Sequence, residues 1–197
     1  IADASHELRT PLAALKARIE LGLREREPVL WYSTLEKAAQ STDRLTHLAN
    51  QLLSLARIER GARAITEGGA ERVELGQLVR ELGMALAPLA HQRGVALALE
   101  AEEGVFIQGE PTLLNELVYN LVDNALAHAP QGGTVVLRGL APALLEVEDD
   151  GPGIPAQERE KGFERFYRRN PQVGGAGLGL AIVGEICRAH QAGISLH

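Results

Sequence analysis

The chain has 197 residues, of which 45% are hydrophobic and 23% are charged. This composition is typical of a globular protein, and the length suits one large domain or two small ones. The net charge of −6 argues against a nucleic-acid-binding surface, which would be basic. The sequence contains no run of 18 apolar residues, so no membrane-spanning helix is predicted within it.

Two long amphipathic helices are predicted at the start of the chain. Apolar residues recur at spacings of three and four from Leu8 to Leu23, which predicts a helix from about Ala2 to about Glu25. A charged break at residues 26–28 precedes a second helix from about Trp31 to about Glu59. Its predicted apolar stripe is Leu35, Ala38, Thr42, Leu45, Leu48, Ala49, Leu52, Leu55 and Ile58.

The short break between the two helices requires an antiparallel hairpin. One apolar stripe on each of two helices cannot enclose a core, whereas a second hairpin would complete a four-helix bundle. We therefore expect a homodimer through residues 1–60, with Gln51 and Ser54 on the polar face of the second helix. The alternative is that the stripes dock on the second half of the chain.

A mixed α/β pattern follows a glycine- and alanine-rich linker at residues 61–71. Strands are predicted at Val73–Leu75, Val95–Glu100, Val105–Gln108, Thr134–Arg138 and Leu144–Glu148. The second and third of these strands could pair across a short turn. Helices are predicted at Gly76–His91, Glu110–His128 and Leu178–His190. Residues 150–175 show no long periodic element, which is typical of a lid or a binding loop.

Both ends of the sequence suggest a longer protein. The helical pattern is already under way at Ala2, and Ile194 to His197 resemble a strand that has just begun. We therefore expect a fragment, with any membrane segment lying upstream of it.

A histidine followed by an acid lies on the first predicted helix, in Ser5-His6-Glu7-Leu8-Arg9-Thr10-Pro11. The imidazole of His6 can attack phosphorus and hold a phosphoryl group, and the Glu7 carboxylate can take its proton. Pro11 predicts a bend, because it cannot donate to the carbonyl of Glu7. The alternative is an ordinary surface histidine. A zinc-protease site is excluded, because Thr10 stands where a second histidine is needed.

Two glycine-rich segments in the second half favour nucleotide binding. Asp149 follows a predicted strand and precedes Gly151 and Gly153. A carboxylate accepts hydrogen bonds and donates none, so it suits an exocyclic amine such as that of adenine. A plain acidic turn is the alternative. The run Gly174-Gly175-Ala176-Gly177-Leu178-Gly179 leads into the last helix, whose free amides can cradle phosphate. A flexible hinge is its alternative, and neither a Rossmann nor a P-loop pattern matches.

A pair of asparagines lies on the predicted helix that precedes both segments, and Glu116 extends their polar strip one turn earlier. Asn120 and Asn124 are four residues apart and therefore share a face. Amide oxygens are hard ligands that suit Mg²⁺, which is usually completed by waters and phosphates. The alternative is a solvated polar strip.

The order of these motifs, together with Phe163-Glu164-Arg165-Phe166-Tyr167-Arg168, closely resembles the cytoplasmic core of sensor histidine kinases of bacterial two-component systems. The resemblance covers nearly the whole chain. It implies an α+β fold, with a dimerisation and phosphotransfer hairpin at residues 1–60 and a linker at residues 61–71. Residues 72–197 would form an ATP-binding α/β two-layer sandwich that lacks its complete last strand.

The resemblance also implies roles for individual residues. His6 is the expected phosphoacceptor, Glu7 its activating acid, and Thr10 the residue that helps place water for dephosphorylating the partner. Asn124 is the preferred Mg²⁺ ligand, with Asn120 beside it. The implied binding residues for ATP are Asn120, Asn124, His128, Asp149, Gly151, Gly153, Arg165, Arg168, Gly175, Gly177 and Gly179. Phe163 and Phe166 match the anchor of the lid.

The implied function is ATP-dependent autophosphorylation of His6, followed by transfer to an aspartate of a response regulator. The implied location is the cytoplasmic portion of an inner-membrane sensor. Besides the incomplete last strand, two positions depart from the family pattern, because many relatives have a cation and then an aromatic where this chain has Ala127 and His128. A nucleotide-binding scaffold without kinase activity is therefore one alternative. Net phosphatase activity is another. Simple ATP hydrolysis is disfavoured, because the position of Asn120 would need a glutamate to activate water.

Overall fold

The computed structural model of the chain describes residues 2–24, 27–167 and 177–197. The chain forms two compact units, Ile1–Leu53 and Ser54–His197. Within the described ranges, no helix is both long and apolar enough to cross a membrane.

The two predicted long helices are present as α1 (Ala2–Arg24) and α2 (Pro28–Thr66). The second is longer than predicted at both ends. Its start fits the preference of proline for the first turn of a helix, and its continuation past Glu59 includes alanine and arginine, which favour helix. The first half of the predicted linker at residues 61–71 is therefore helical. At 39 residues, α2 is about 58 Å long.

The first unit is an antiparallel hairpin, as predicted. A β-carbon added at Gly22 would lie 3.2 Å from Thr34 Cγ2. Further back along α1, the Arg18 guanidinium donates to the carbonyl of Lys37 at 3.0 Å and to the Ser41 hydroxyl. Residues nearer the start of α1 contact residues further along α2, so the two helices are antiparallel.

The buried face of α2 agrees only in part with the predicted one. Ala38 and Ile58 of the predicted stripe are buried, but Gln51 and Ser54, predicted on the polar face, are each only 7% exposed. The predicted polar face was wrong at these two positions. Among the side chains that the structure describes, the exposed large apolar residues of α1 and α2 are Leu12, Ile19, Leu21, Leu23, Val29, Leu30, Trp31, Tyr32, Leu35 and Leu53.

The second unit contains five strands and three complete helices among its described residues. The strands are β1 (Glu71–Glu74), β2 (Ala96–Ala101), β3 (Phe106–Gly109), β4 (Thr134–Leu140) and β5 (Leu144–Asp149). The helices are α3 (Leu75–Gln92), α4 (Pro111–His128) and α5 (Gly179–Ala189). Two short 3₁₀ turns, at Ala156–Glu158 and Lys161–Phe163, lie in the loop before α5.

A three-stranded sheet has the order β2-β4-β5, with β2 parallel and β5 antiparallel to β4. The predicted pairing of β2 with β3 was wrong, because β3 pairs with β1 in a separate antiparallel ribbon. The weak polar alternation of β2 does not specify a hairpin register, and its parallel pairing sets Leu97 beside the fully buried Val135. The prediction of a strand beginning at Ile194–His197 was also wrong, since α5 is the only helix or strand in residues 177–197.

The helices form the second layer of the predicted sandwich. Both α3 and α4 pack on the sheet, and α5 packs on α4. Val135 and Leu137 of β4 face the core and are fully buried, and so are Val118 and Val122 of α4. The two-layer α/β architecture predicted from the sequence is confirmed.

Arg138 holds together the outer face of the sheet. Its Nε lies 2.9 Å from a Glu100 oxygen on β2, and its Nη1 lies 2.6 Å from an oxygen of Glu146 and 2.6 Å from one of Glu148, both on β5. The hydrogen bonds to Glu148, Glu100 and Glu146 raise the pKa of the guanidinium above its usual value. One cation thus links all three strands.

We predict that Arg138→Leu lowers the melting temperature, because it leaves three carboxylates facing one another without a cation. The loss should be larger at low ionic strength, since salt screens exposed charges. Thermal unfolding at two salt concentrations measures it. Arg80→Leu is the control, because Arg80 has a single, longer pairing with Glu74 at 3.8 Å. Equal, salt-independent effects of both variants would contradict the prediction.

Candidate functional site

The site is built around α4, whose start is well defined by its sequence. Glu110 precedes the helix, and its carboxylate accepts a hydrogen bond from the Leu113 amide at 2.7 Å. Pro111 occupies the first turn, where a missing amide hydrogen costs nothing. The negative charge of Glu110 also lies at the positive end of the helix dipole. This cap fixes where the asparagine-bearing turns begin.

The two predicted metal ligands lie on adjacent turns of α4. Asn120 is 8% exposed, and its Nδ2 donates to the Glu116 carbonyl at 2.8 Å. That bond directs the amide oxygen, the atom that suits Mg²⁺, away from the Glu116 carbonyl. Asn124 is half-buried, and its backbone carbonyl lies 2.9 Å from Nδ1 of the exposed His128. No cluster of three or more histidine, cysteine or carboxylate side chains in the described ranges could hold a metal.

Glu116 extends this strip one turn before Asn120, as the sequence indicates, although no ligand role was predicted for it. Its Oε2 is buried and has no hydrogen-bond partner among the described residues. Burial raises the pKa of its carboxyl above the usual value, and the nearby charge of Arg57 opposes that effect.

The loop after β5 lies against the end of α4. Asp149 Oδ1 accepts a hydrogen bond from the Gly151 amide at 2.8 Å. A β-carbon added at Gly151 would collide with that oxygen and would lie 2.9 Å from the carbonyl oxygen of His128. Gly153 has a φ of 63°, which glycine adopts without strain. The structure thus brings Asp149, Gly151 and His128 together.

Asp150, the second acid of the pair, has a structural task that sequence reasoning missed. Its Oδ2 accepts from the Thr134 amide at 2.7 Å, and its own amide donates to the Thr134 carbonyl at 3.3 Å. The two bonds clasp the end of β5 to the start of β4. Asp149, the neighbouring residue, therefore stands on a fixed backbone.

The other side of the site is the start of α5. Gly177 has a φ of 68°, and its carbonyl accepts from the Phe166 amide at 2.8 Å. Gly179 is the first residue of α5. Phe163 packs on this helix, since a β-carbon at Gly184 would lie 3.7 Å from its ring.

Arg165, predicted to approach the phosphates, is paired elsewhere in this structure. Its Nη2 lies 3.1 Å from Glu185 Oε1 on α5, and Arg188 lies 3.0 Å from the same oxygen. Contact with a phosphate would have to replace or share this ion pair. Its assignment to the nucleotide stays a prediction.

The remaining predicted residues divide between two places. His6, Glu7 and Thr10 lie on α1, but their side chains are outside the described part of the structure. Arg168 and Gly175 are outside the described residues altogether. In the second unit, the asparagine pair lies on α4, which packs against both β5 and α5. The aspartate motif at the end of β5 and the glycines at the start of α5 therefore belong to elements in contact with that helix.

Comparison with known proteins agrees with this arrangement. The family described as "His Kinase A (phospho-acceptor) domain" matches residues 1–61. The family described as "Histidine kinase-, DNA gyrase B-, and HSP90-like ATPase" matches residues 109–197. The mycobacterial sensor histidine kinase MprB is 32% identical, with a TM-score of 0.53, over 62% of this chain and 80% of that one.

The chain belongs to the sensor histidine kinases. The sensor protein SphS of Synechococcus elongatus is 36% identical over 99% of this chain and 50% of its own length. The structure of full-length ShkA in complex with AMPPNP has a TM-score of 0.61 and 26% identity, over 100% of this chain and 43% of that one. This sensor histidine kinase chain thus spans half the length of SphS, and 41% and 39% of the next two curated relatives. Its second unit uses the ATP-binding fold that the ATPase family describes.

We predict that Gly151→Ala destabilises the chain by about 1–3 kcal/mol, the usual cost of overpacking, and weakens ATP binding. The added methyl has to displace either the Asp149 carboxylate or the His128 backbone. Thermal unfolding and calorimetric titration with Mg-ATP measure the two effects. Gly193→Ala is the matched control, because nothing lies within 4 Å of its β-carbon position. A variant with wild-type melting and affinity would disprove the close approach.

A second prediction concerns the buried carboxyl of Glu116. Its pKa is raised in the folded chain above the usual value of 4.5, so its stabilising contribution is present below pH 4.5 and is lost as the pH rises through the folded-state pKa. Glu116→Gln should therefore raise the melting temperature at pH 7 and leave it unchanged well below pH 4. Glu103→Gln, at an exposed position, should show no such trend. Destabilisation of Glu116→Gln at pH 7 would mean that attraction to Arg57 outweighs burial.

Proposed function

We propose that this chain transfers the γ-phosphoryl group of ATP to His6 and then to an aspartate of a response regulator. The observation that carries the proposal is the presence in one chain of two parts. A His-Glu-x-x-Thr-Pro motif lies on a helix of a phosphoacceptor family, and an ATPase-family unit carries Asn120, Asn124, Asp149 and Gly151 around α4. A donor site and an acceptor site are both needed for transfer.

In the first step, an imidazole nitrogen of His6 forms a bond to the γ-phosphorus while the bond from that phosphorus to the ADP oxygen breaks. Glu7 takes the proton that leaves the imidazole, so that the nitrogen remains a nucleophile. In the second step, the nitrogen–phosphorus bond breaks and an aspartate oxygen of the regulator receives the phosphoryl group. In a separate phosphatase reaction, Thr10 helps place the water that attacks the phosphorus of the phosphorylated aspartate, and the aspartate oxygen–phosphorus bond breaks to release inorganic phosphate.

For the nucleotide, the proposal assigns the adenine amine to Asp149, with Gly151 and Gly153 under the base. His128 lies at the wall of the site, and Gly177 and Gly179 lie on the phosphate side. The remaining assigned residues are Arg165, Arg168 and Gly175. Positioning and charge neutralisation supply most of the catalysis in phosphoryl transfer.

Asn120 and Asn124 would hold Mg²⁺, which when bound neutralises phosphate charge. The fit rests on the chemistry of the donor set. Amide oxygens on successive turns leave coordination positions for phosphate oxygens and waters, and the orphaned Glu116 Oε2 adds a negative charge on the same strip.

The proposed organisation is a phosphotransfer hairpin at residues 1–60, a connection at residues 61–71 and an ATP domain at residues 72–197. The exposed apolar side chains of the hairpin, Leu12, Ile19 and Leu35 among them, support a homodimer through residues 1–60, since burying them would complete a core. The full protein would be an inner-membrane sensor with this part in the cytoplasm.

We predict that His6→Gln abolishes incorporation of label from γ-labelled ATP and leaves Mg-ATP affinity unchanged, because the acceptor and the nucleotide site are separate. His91→Gln, at an exposed position of α3, is the control. Label on the wild type should be lost in acid, as a phosphoramidate is. Labelling that survives His6→Gln refutes the acceptor, and nucleotide binding by the wild type without any labelling favours a non-catalytic scaffold.

A further inference from the structure

His190, the residue just after α5, makes contacts that none of the nucleotide-related motifs explain. Its Nε2 lies 3.1 Å from the backbone nitrogen of Glu110, and its Nδ1 lies 2.9 Å from the carbonyl oxygen of Ile186. The ring thus spans from the end of α5 to the residue that caps α4.

The two partners assign the proton on the ring. The Glu110 amide nitrogen can only donate, so Nε2 must accept. The Ile186 carbonyl can only accept, so Nδ1 must carry the hydrogen. A neutral imidazole in this tautomer satisfies both groups at once. No other side chain offers an acceptor and a donor at opposite edges of one rigid ring.

The surroundings are fitted to the ring. A β-carbon added at Gly109 would lie 2.9 Å from both Cδ2 and Nε2 of His190 and 2.8 Å from Leu114 Cδ1. Only a glycine at that position allows the imidazole to reach Glu110. The Glu110 side chain meanwhile caps α4 through the Leu113 amide, so one residue connects the ring to the first turn of the asparagine helix.

The location of this contact gives it a role beyond local packing. Two packed helices, α4 and α5, meet where α4 begins and α5 ends. Their chains are therefore antiparallel, and α5 extends from this point alongside α4. The 11 residues of α5 extend about 16 Å. The same length measured along α4 from Pro111 ends between Asn120 and Asn124. The contact at His190 therefore determines which turns of α4 lie beside Gly177–Gly179 at the start of α5.

We propose that His190 is a positioning residue of the nucleotide site, which holds the phosphate-side glycines in register with the metal-binding asparagines through its bond to the Glu110 amide. The inference rests on the proposed function, since it assigns a role toward Mg-ATP. It adds a residue to the site that touches neither the nucleotide nor the metal.

The test compares two substitutions in the whole chain. His190→Leu removes the acceptor and leaves the Glu110 amide unsatisfied, so the Kd for Mg-ATP should rise roughly three- to tenfold. His190→Gln places an amide oxygen where Nε2 was and should restore affinity to within about twofold of the wild type, because it replaces one neutral hydrogen bond with another. His91→Leu, in the last turn of α3, is the matched control.

Titrations are run well below the unfolding midpoint of each variant, so that a loss of folded protein does not imitate a loss of affinity. Nitrogen-15 NMR of the ring provides an independent readout and should show Nδ1 protonated and Nε2 bare. Either the opposite tautomer, or wild-type affinity in His190→Leu, overturns the inference. So does equal weakening in the leucine and glutamine variants. If the wild type itself fails to bind Mg-ATP, it is the proposed function that fails, and the NMR result still decides the contact.

Discussion

Burial of one face of α4 is the constraint on which the second unit depends. The helix packs against α3, β4, β5 and α5. Its buried apolar residues are Leu113, Leu114, Leu117, Val118, Val122, Ala125 and Leu126. Complete burial of a leucine or valine side chain stabilises the folded state by about 1.5–3 kcal/mol, so rotation of the helix would be costly. Because that face is fixed, the directions of Asn120, Asn124 and His128 are fixed as well.

Elements with strong local signals were predictable from the sequence. The bounds of α1 and α4 agree with prediction to within a residue or two, because apolar periodicity defines both helices and Pro111 marks the start of α4. Pairing between strands was not predictable in the same way. Short strands such as β2 and β3 carry little register information of their own, so their sequences do not determine which strand they pair with. The helical course of the supposed linker had a similar cause, since Gly61 permits close approach to Leu113 instead of breaking the helix.

The candidate site shows the same division. Residues that carry chemistry by type and spacing, such as Asp149 before Gly151, were visible in the sequence, and the structure places that pair against His128. Residues that act by supporting others were not visible. Asp150 and His190 are ordinary polar residues in the sequence, and only the folded chain shows what each one faces. Long-range contacts of this kind leave no periodic signal.

The clasp between Asp150 and Thr134 has a consequence for the choice of nucleobase. Two hydrogen bonds hold the strand end, one from the Thr134 amide to the Asp150 carboxylate and one from the Asp150 amide to the Thr134 carbonyl. The Gly151 amide orients the Asp149 carboxylate. A carboxylate held in this way has no hydrogen to donate. With Asp149 facing the adenine amine, as we propose, guanine would present a carbonyl oxygen at that place, so two acceptors would face each other and GTP would be rejected. Discrimination between purines would then come from rigidity of the main chain, not from additional contacts to the base.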